Sequence, residues 1–175
     1  MRDEFVFRCV YCLERETWYP NRQAAFAVEH ILPQVKRPDL ICDYDNLAYA
    51  CLRCNSFKQD LETLDPFKVA FGEHLRFEPD GSVVGLTDEG REFILLFRLN
   101  EAPAIDVRKR TLIILRLKGL YPDSPEVERL YRETFGYPAD LPDLRTKRPE
   151  RNTRPEGVWA CHFLRKLEGK LPEVY

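Results

Sequence analysis

The chain has 175 residues, of which 44% are hydrophobic and 32% charged, and its net charge is −2 at neutral pH. These values fit a globular protein of one domain or two small ones, and they exclude a strongly basic chain that binds nucleic acid over its whole surface. No apolar run reaches the roughly 18 residues that span a bilayer. The N-terminal stretch MRDEFVFRC lacks the apolar segment of a secretory signal. We therefore expect a cytoplasmic protein without membrane contact, in which thiols stay reduced.

The six cysteines comprise two CxxC pairs and two single residues. In a reducing compartment such pairs more often bind a metal ion than form disulfides. Each pair can direct two sulfurs to one centre, and four thiolates complete the tetrahedral shell of a structural Zn²⁺. The predicted zinc ligands are Cys9, Cys12, Cys51 and Cys54. The single residues, Cys42 and Cys161, are expected to be small core residues or free thiols.

The segment between the two pairs predicts a strand, a loop and a second strand. AAFAVEHIL (24–32) and NLAYAC (46–51) read as short strands, and the loop that joins them is polar and contains proline. The chain from Arg53 to about Leu64 has no glycine or proline and can be helical. The gap between the pairs, residues 13–50, is longer than in an ordinary zinc ribbon.

Four motifs follow one another over about residues 9–60, in the order CxxC, Glu-His-Ile-x-Pro, Asn-Leu and CxxC-Asn-x-x-Lys. Their combined order resembles the HNH endonuclease family. It is similar to the subgroup that has two zinc knuckles and asparagine as the third motif residue. The resemblance implies an α+β fold with a ββα-metal nuclease lobe, in which a hairpin and a helix hold one divalent ion. The strand and helix predictions agree with that fold.

The resemblance also implies a role for each motif residue. His30 would be the general base that activates water, Glu29 and Asn55 the oxygen ligands of Mg²⁺ or Mn²⁺, and Asn46 the residue that ties the loop. Lys58, one helical turn after Asn55, would contact a phosphate. The family usually has aspartate before the histidine, whereas this chain has a glutamate, which is one methylene longer.

Residues 65–175 predict a second module, an α+β extension that packs on the nuclease lobe of residues 1–64. A hairpin is expected around the turn PDGS, followed by helices in DEGREFILLFRLN, AIDVRKRTLIILRLKG, SPEVERLYRETFG and VWACHFLRKLEG. Ser124 and Gly136 are the expected start and stop signals of the third of these helices. The proline-rich basic stretch LPDLRTKRPERNTRPEG is expected to be extended over the surface.

Nucleic acid would have to be bound by basic clusters in the extension, because residues 1–64 contain eight Lys and Arg against ten Asp and Glu. The candidate phosphate contacts are Arg108, Lys109 and Arg110, with Lys147, Arg148 and Arg151 as a second cluster. DNA is the expected substrate, and RNA remains an open alternative. A protein partner would deliver the substrate, because the sequence has no motif that reads bases, and cutting of both strands by a single active site would favour a homodimer or sequential nicking.

A second interpretation comes from a different class of function. The same lobe would serve as a zinc-stabilised nucleic-acid-binding adaptor, weakly active or latent, that needs a partner protein. The glutamate before the histidine and the acidic lobe favour this alternative. Metal-dependent cleavage of DNA separates the two interpretations.

Overall fold

The computed structural model describes residues 1–147 and 156–175. Its first sheet is an antiparallel hairpin of β1 (Phe26–His30) and β2 (Leu47–Cys51). The register pairs the first residue of each strand with the last residue of the other. The apolar sequence LAYAC of β2 fits its position, because this strand is buried over most of its length. Both predicted strands are therefore present.

A helix follows β2 without a connecting loop and completes the predicted ββα unit. This helix, α1 (Leu52–Lys58), packs against both strands. It starts at Cys51, whose sulfur accepts a hydrogen bond from the backbone N–H of Cys54. It ends at Lys58 rather than near residue 64, because Gln59 has a φ of 47° and cannot continue a right-handed helix. The prediction from the absence of glycine and proline therefore made this helix too long.

The extension begins with a short helix and the predicted hairpin. The elements are α2 (Phe71–His74), β3 (Leu75–Phe77), β4 (Val83–Gly85) and then α3 (Asp88–Leu96). The turn of the hairpin requires Gly81, whose φ is +88° and where an added Cβ would lie 2.7 Å from the carbonyl oxygen of Ile105.

Two longer helices form the outer part of the extension. They are α4 (Ala102–Leu120) and α5 (Pro125–Phe135), and they pack against each other. Ser124 accepts a hydrogen bond from the backbone N–H of Val127, and Gly136 follows the last turn, so both predicted signals bound α5. No helix in the described ranges is both long enough and apolar enough to cross a membrane.

The predicted C-terminal helix is two short helices, α6 (Glu156–Trp159) and α7 (His162–Leu167). They are separated at Cys161, which has an extended conformation with φ −63° and ψ 153°. The backbone N–H of His162 donates to the carboxylate of Asp3 at 3.1 Å, so a contact with the N-terminus caps the second helix. The proline-rich stretch includes a short 3-10 turn at Leu144–Thr146, and residues 148–155 lie outside the described residues, so its extended course stays a prediction.

One hydrophobic core runs through both predicted modules. It contains the four cysteines of the CxxC pairs together with apolar residues of β2, β3, β4 and α3. Tyr11 of the first CxxC pair stacks on Phe97 with ring centroids 4.4 Å apart, and Phe93 packs against Phe97 at 4.6 Å. Aromatic pairs of this kind add to the stabilisation from burial. The loop of the first CxxC pair therefore packs against α3 and the residues that follow it.

Candidate active site and metal centre

The four sulfur atoms of the CxxC pairs lie within 4.8 Å of one another, and all four residues are buried. The first pair is fixed in its loop by backbone hydrogen bonds from Cys9 to Glu14 and from Val10 to Tyr49. The second pair spans the junction of β2 and α1. A tetrahedral zinc ion with Zn–S distances of about 2.3 Å needs sulfurs about 3.8 Å apart. The 3.9 Å between the sulfurs of Cys12 and Cys51 meets this requirement.

The thiols are also close enough to perturb one another's pKa values. A hydrogen bond between Cys12 and Cys51 lowers the pKa of Cys51 and raises the pKa of Cys12. Four buried thiolates in one place repel one another unless a cation compensates their charge. A divalent ion bound by all four sulfurs removes that repulsion. The cluster thus has the ligand set, spacing and burial of a structural zinc site.

His30 is the last residue of β1, and its imidazole is oriented by the loop that follows. Its Nε2 lies 3.0 Å from the carbonyl oxygen of Ile41. Because a carbonyl only accepts, Nε2 carries the proton of the neutral imidazole, and Nδ1 keeps its lone pair. The side-chain amide nitrogen of Gln34 lies 3.1 Å from Nδ1 and can donate to it. Nδ1 is therefore the basic atom of this histidine.

Asn46 connects the two ends of the loop between β1 and β2. Its side chain is 5% exposed. It accepts a hydrogen bond from the backbone N–H of Leu32 at 2.8 Å and donates to the carbonyl oxygens of Leu32 and Leu40. Leu40 precedes Ile41, whose carbonyl contacts the imidazole. Asn46 thus lies where it can hold the histidine through the loop backbone.

Glu29 lies beside His30 on β1 and points into the protein. It is 4% exposed, and its Oε1 lies 2.9 Å from Nζ of Lys58. Burial raises the pKa of Glu29, because it penalises the charged form, and the hydrogen bond with Lys58 opposes this shift. The Lys58 ammonium also donates to the carbonyl oxygen of His30 at 2.8 Å.

The position of Lys58 differs from the expectation that this lysine contacts a substrate phosphate. Its side chain is 0% exposed and its ammonium is paired inside the protein, so a contact with external DNA is not available in this conformation. Asn55 is partly exposed and lies one turn earlier on α1. Residues three apart on a helix share a face, so Asn55 is on the same face of α1 as Lys58.

The predicted basic clusters are only partly at the surface. Arg108 is 8% exposed and donates to the backbone carbonyls of Gly81 and Leu99, so its guanidinium group is directed into the protein in this conformation. Lys109 and Arg110 are exposed on α4, and Lys147 is exposed as well. Arg148 and Arg151 lie outside the described residues.

Arg108 has a structural role that can be tested. We expect Arg108→Met to lower the free energy of unfolding by about 1–3 kcal/mol, because it leaves buried carbonyl groups without their donors. Arg110→Met, on the same helix but exposed, should change it by less than about 0.5 kcal/mol. Urea unfolding of the zinc-loaded proteins measures both values. Equal stability of the two variants would contradict the assignment.

Two contacts of the site have no signal in the sequence. Gln34 and the carbonyl of Ile41 reach the imidazole only because the loop folds back over the end of β1. A backbone carbonyl cannot be recognised from residue type. Gln34 lies four residues after His30 in an irregular segment, where spacing predicts no contact.

Comparison with known proteins gives a family match over the segment that contains these residues. Residues 9–61 match the family model described as HNH endonuclease. The matched range contains both CxxC pairs and all the motif residues between and just after them. The search of curated proteins found no match.

Proposed function

We propose that the HNH endonuclease domain of residues 9–61 makes this chain a metal-dependent endonuclease that hydrolyses phosphodiester bonds of DNA. The observation that carries the proposal is the geometry of His30, whose Nε2 is held by the Ile41 carbonyl, so that Nδ1 is the base once a water molecule displaces the side-chain amide of Gln34 from it. Glu29 is its neighbour on β1, and Asn55 lies on the helix that packs against this strand.

The donor set near His30 fits a hard divalent cation. Oε1 of Glu29 is held by Lys58, which leaves Oε2 and the side-chain oxygen of Asn55 as the candidate ligands. Mg²⁺ and Mn²⁺ prefer such oxygen donors and retain several water molecules, whereas the sulfur cluster suits zinc. When bound, the cation would neutralise charge on the phosphate and stabilise the leaving 3′ oxygen.

The residues of the chain would carry out the proton transfer. Nδ1 of His30 accepts a proton from a water molecule, the water oxygen forms a bond to phosphorus, and the bond from phosphorus to the 3′ oxygen breaks. A neutral imidazole suits this step near pH 7. Asn46 keeps the loop in place, so that the Ile41 carbonyl holds the proton on Nε2 throughout.

Contacts with the DNA backbone would come from exposed basic side chains. Lys109 and Arg110 on α4 are the candidates that remain once Arg108 is placed in the interior. Contacts with phosphates bind DNA without distinguishing its sequence. A protein partner or a second copy of the chain would then supply the choice of target.

The test is cleavage of supercoiled plasmid DNA by zinc-loaded protein. We expect nicked or linear product with Mg²⁺ or Mn²⁺ and none without an added divalent ion. The control without metal omits the divalent ion and contains no chelator, because a chelator strong enough to remove Mg²⁺ also removes zinc. Zinc content is measured before and after the reaction. No cleavage of plasmid, single-stranded DNA or RNA under any of these conditions would reject the proposal.

An adaptor without turnover is the second candidate. The observation that favours it is that Glu29 is buried against Lys58. The ammonium of Lys58 compensates the charge of the carboxylate that would otherwise bind the ion. An adaptor would bind DNA with a salt-dependent affinity and would not cut it in the plasmid assay.

A further inference from the structure

The Lys58 ammonium is an internal cation placed next to a predicted metal ligand. Its side chain is fully buried, its Nζ contacts Oε1 of Glu29 at 2.9 Å, and it donates to the carbonyl of His30 at 2.8 Å. Both acceptors belong to the last two residues of β1. A buried charge is strongly unfavourable unless it is paired and hydrogen-bonded, so the fold fixes this ammonium at the catalytic end of the strand.

This ammonium changes the electrostatics of the predicted cation site. The Glu29 carboxylate and the Lys58 ammonium together have no net charge, and the other candidate ligand, Asn55, is a neutral amide. A divalent ion at Oε2 of Glu29 would therefore meet a carboxylate whose charge is already compensated, with a positive charge nearby. The negative charge that such an ion still needs is present on a DNA phosphate.

We propose that Lys58 is a positioning residue that makes binding of the divalent cation depend on DNA. The proposal rests on the endonuclease function and concerns the order in which that site fills. Without DNA the cation binds weakly, because the Lys58 ammonium already compensates the charge of the Glu29 carboxylate. A phosphodiester adds negative charge and stabilises the cation, and by linkage the cation stabilises the bound DNA to the same extent. The free protein would thus hold little catalytic metal.

The experiment measures Mn²⁺ binding by electron paramagnetic resonance on zinc-loaded protein in the His30→Ala background, which prevents turnover. We expect a short DNA duplex to tighten Mn²⁺ binding at least about tenfold, which corresponds to about 1.4 kcal/mol. Lys58→Met should bind Mn²⁺ at least about tenfold more tightly than the parent protein when DNA is absent, with a smaller further gain on adding DNA. Lys58→Arg keeps the charge and should resemble the parent protein.

Glu29→Gln tests whether the measured Mn²⁺ is bound at Glu29, because this substitution should abolish the Mn²⁺ signal of the site. Mn²⁺ affinity that does not respond to DNA in the parent protein would overturn the proposal, even if Lys58→Met failed to fold. Equal or weaker Mn²⁺ binding by folded Lys58→Met would also overturn it. If Mn²⁺ binding depends on Lys58 but the parent protein does not cleave nucleic acid, the effect of the Lys58 charge on the cation is supported and the endonuclease function is rejected.

Discussion

Replacing His30 with alanine should lower the rate of metal-dependent DNA cleavage by about 10²–10⁴-fold, the usual contribution of a positioned general base. The variant removes Nδ1, the basic atom left available by the contact of Nε2 with the Ile41 carbonyl. It should keep its zinc, because the imidazole is only partly buried and does not contact the sulfur cluster. Single-turnover cleavage of plasmid DNA at saturating Mg²⁺ measures the loss.

The matched control for this prediction is His74→Ala. His74 lies in the extension and hydrogen-bonds the Thr87 hydroxyl through Nδ1, so the substitution removes an imidazole far along the chain from the motif. The His74→Ala variant should cleave DNA at a rate within about threefold of that of the parent protein, whereas removal of the base should lower the rate far more. Unchanged cleavage by zinc-replete His30→Ala would show that the base lies elsewhere.

The sequence could predict the ββα unit and the cluster of four cysteines because both depend on local patterns. The CxxC spacing is sufficient to identify the four sulfurs, and short apolar runs next to it identify β1 and β2. The role of Asn46 as a loop tie is likewise compatible with its contacts to Leu32 and Leu40.

The positions of the two basic residues could not be predicted from local pattern. Lys58 and Arg108 each carry a charge that is usually at the surface, yet each has a buried partner far away in sequence, Glu29 at 29 residues from Lys58 and Gly81 at 27 residues from Arg108. Only the packing of α1 on β1, and of α4 on the hairpin turn, reveals that these charges are buried. Tertiary contact with Asp3 similarly divides the predicted C-terminal helix before His162.

Cys51→Ser should cost the protein most of its zinc and lower the free energy of unfolding by about 4–5 kcal/mol or more, the range associated with loss of a metal site. Cys51 ends β2, supplies one sulfur to the cluster and accepts the hydrogen bond that starts α1. Its replacement therefore weakens the junction between the strand and the helix as well as the metal site. Zinc analysis and thermal unfolding by circular dichroism measure the two effects.

Cys42→Ser is the matched control, because Cys42 is exposed and is not part of the sulfur cluster. It should keep its zinc and unfold at the temperature of the parent protein. Full zinc content and unchanged stability in Cys51→Ser would reject the structural zinc site.

The helix that follows Cys51 carries Asn55 and Lys58, so loss of zinc should abolish DNA cleavage together with folding. His30→Ala, in contrast, should slow cleavage in a protein that remains folded and zinc-loaded.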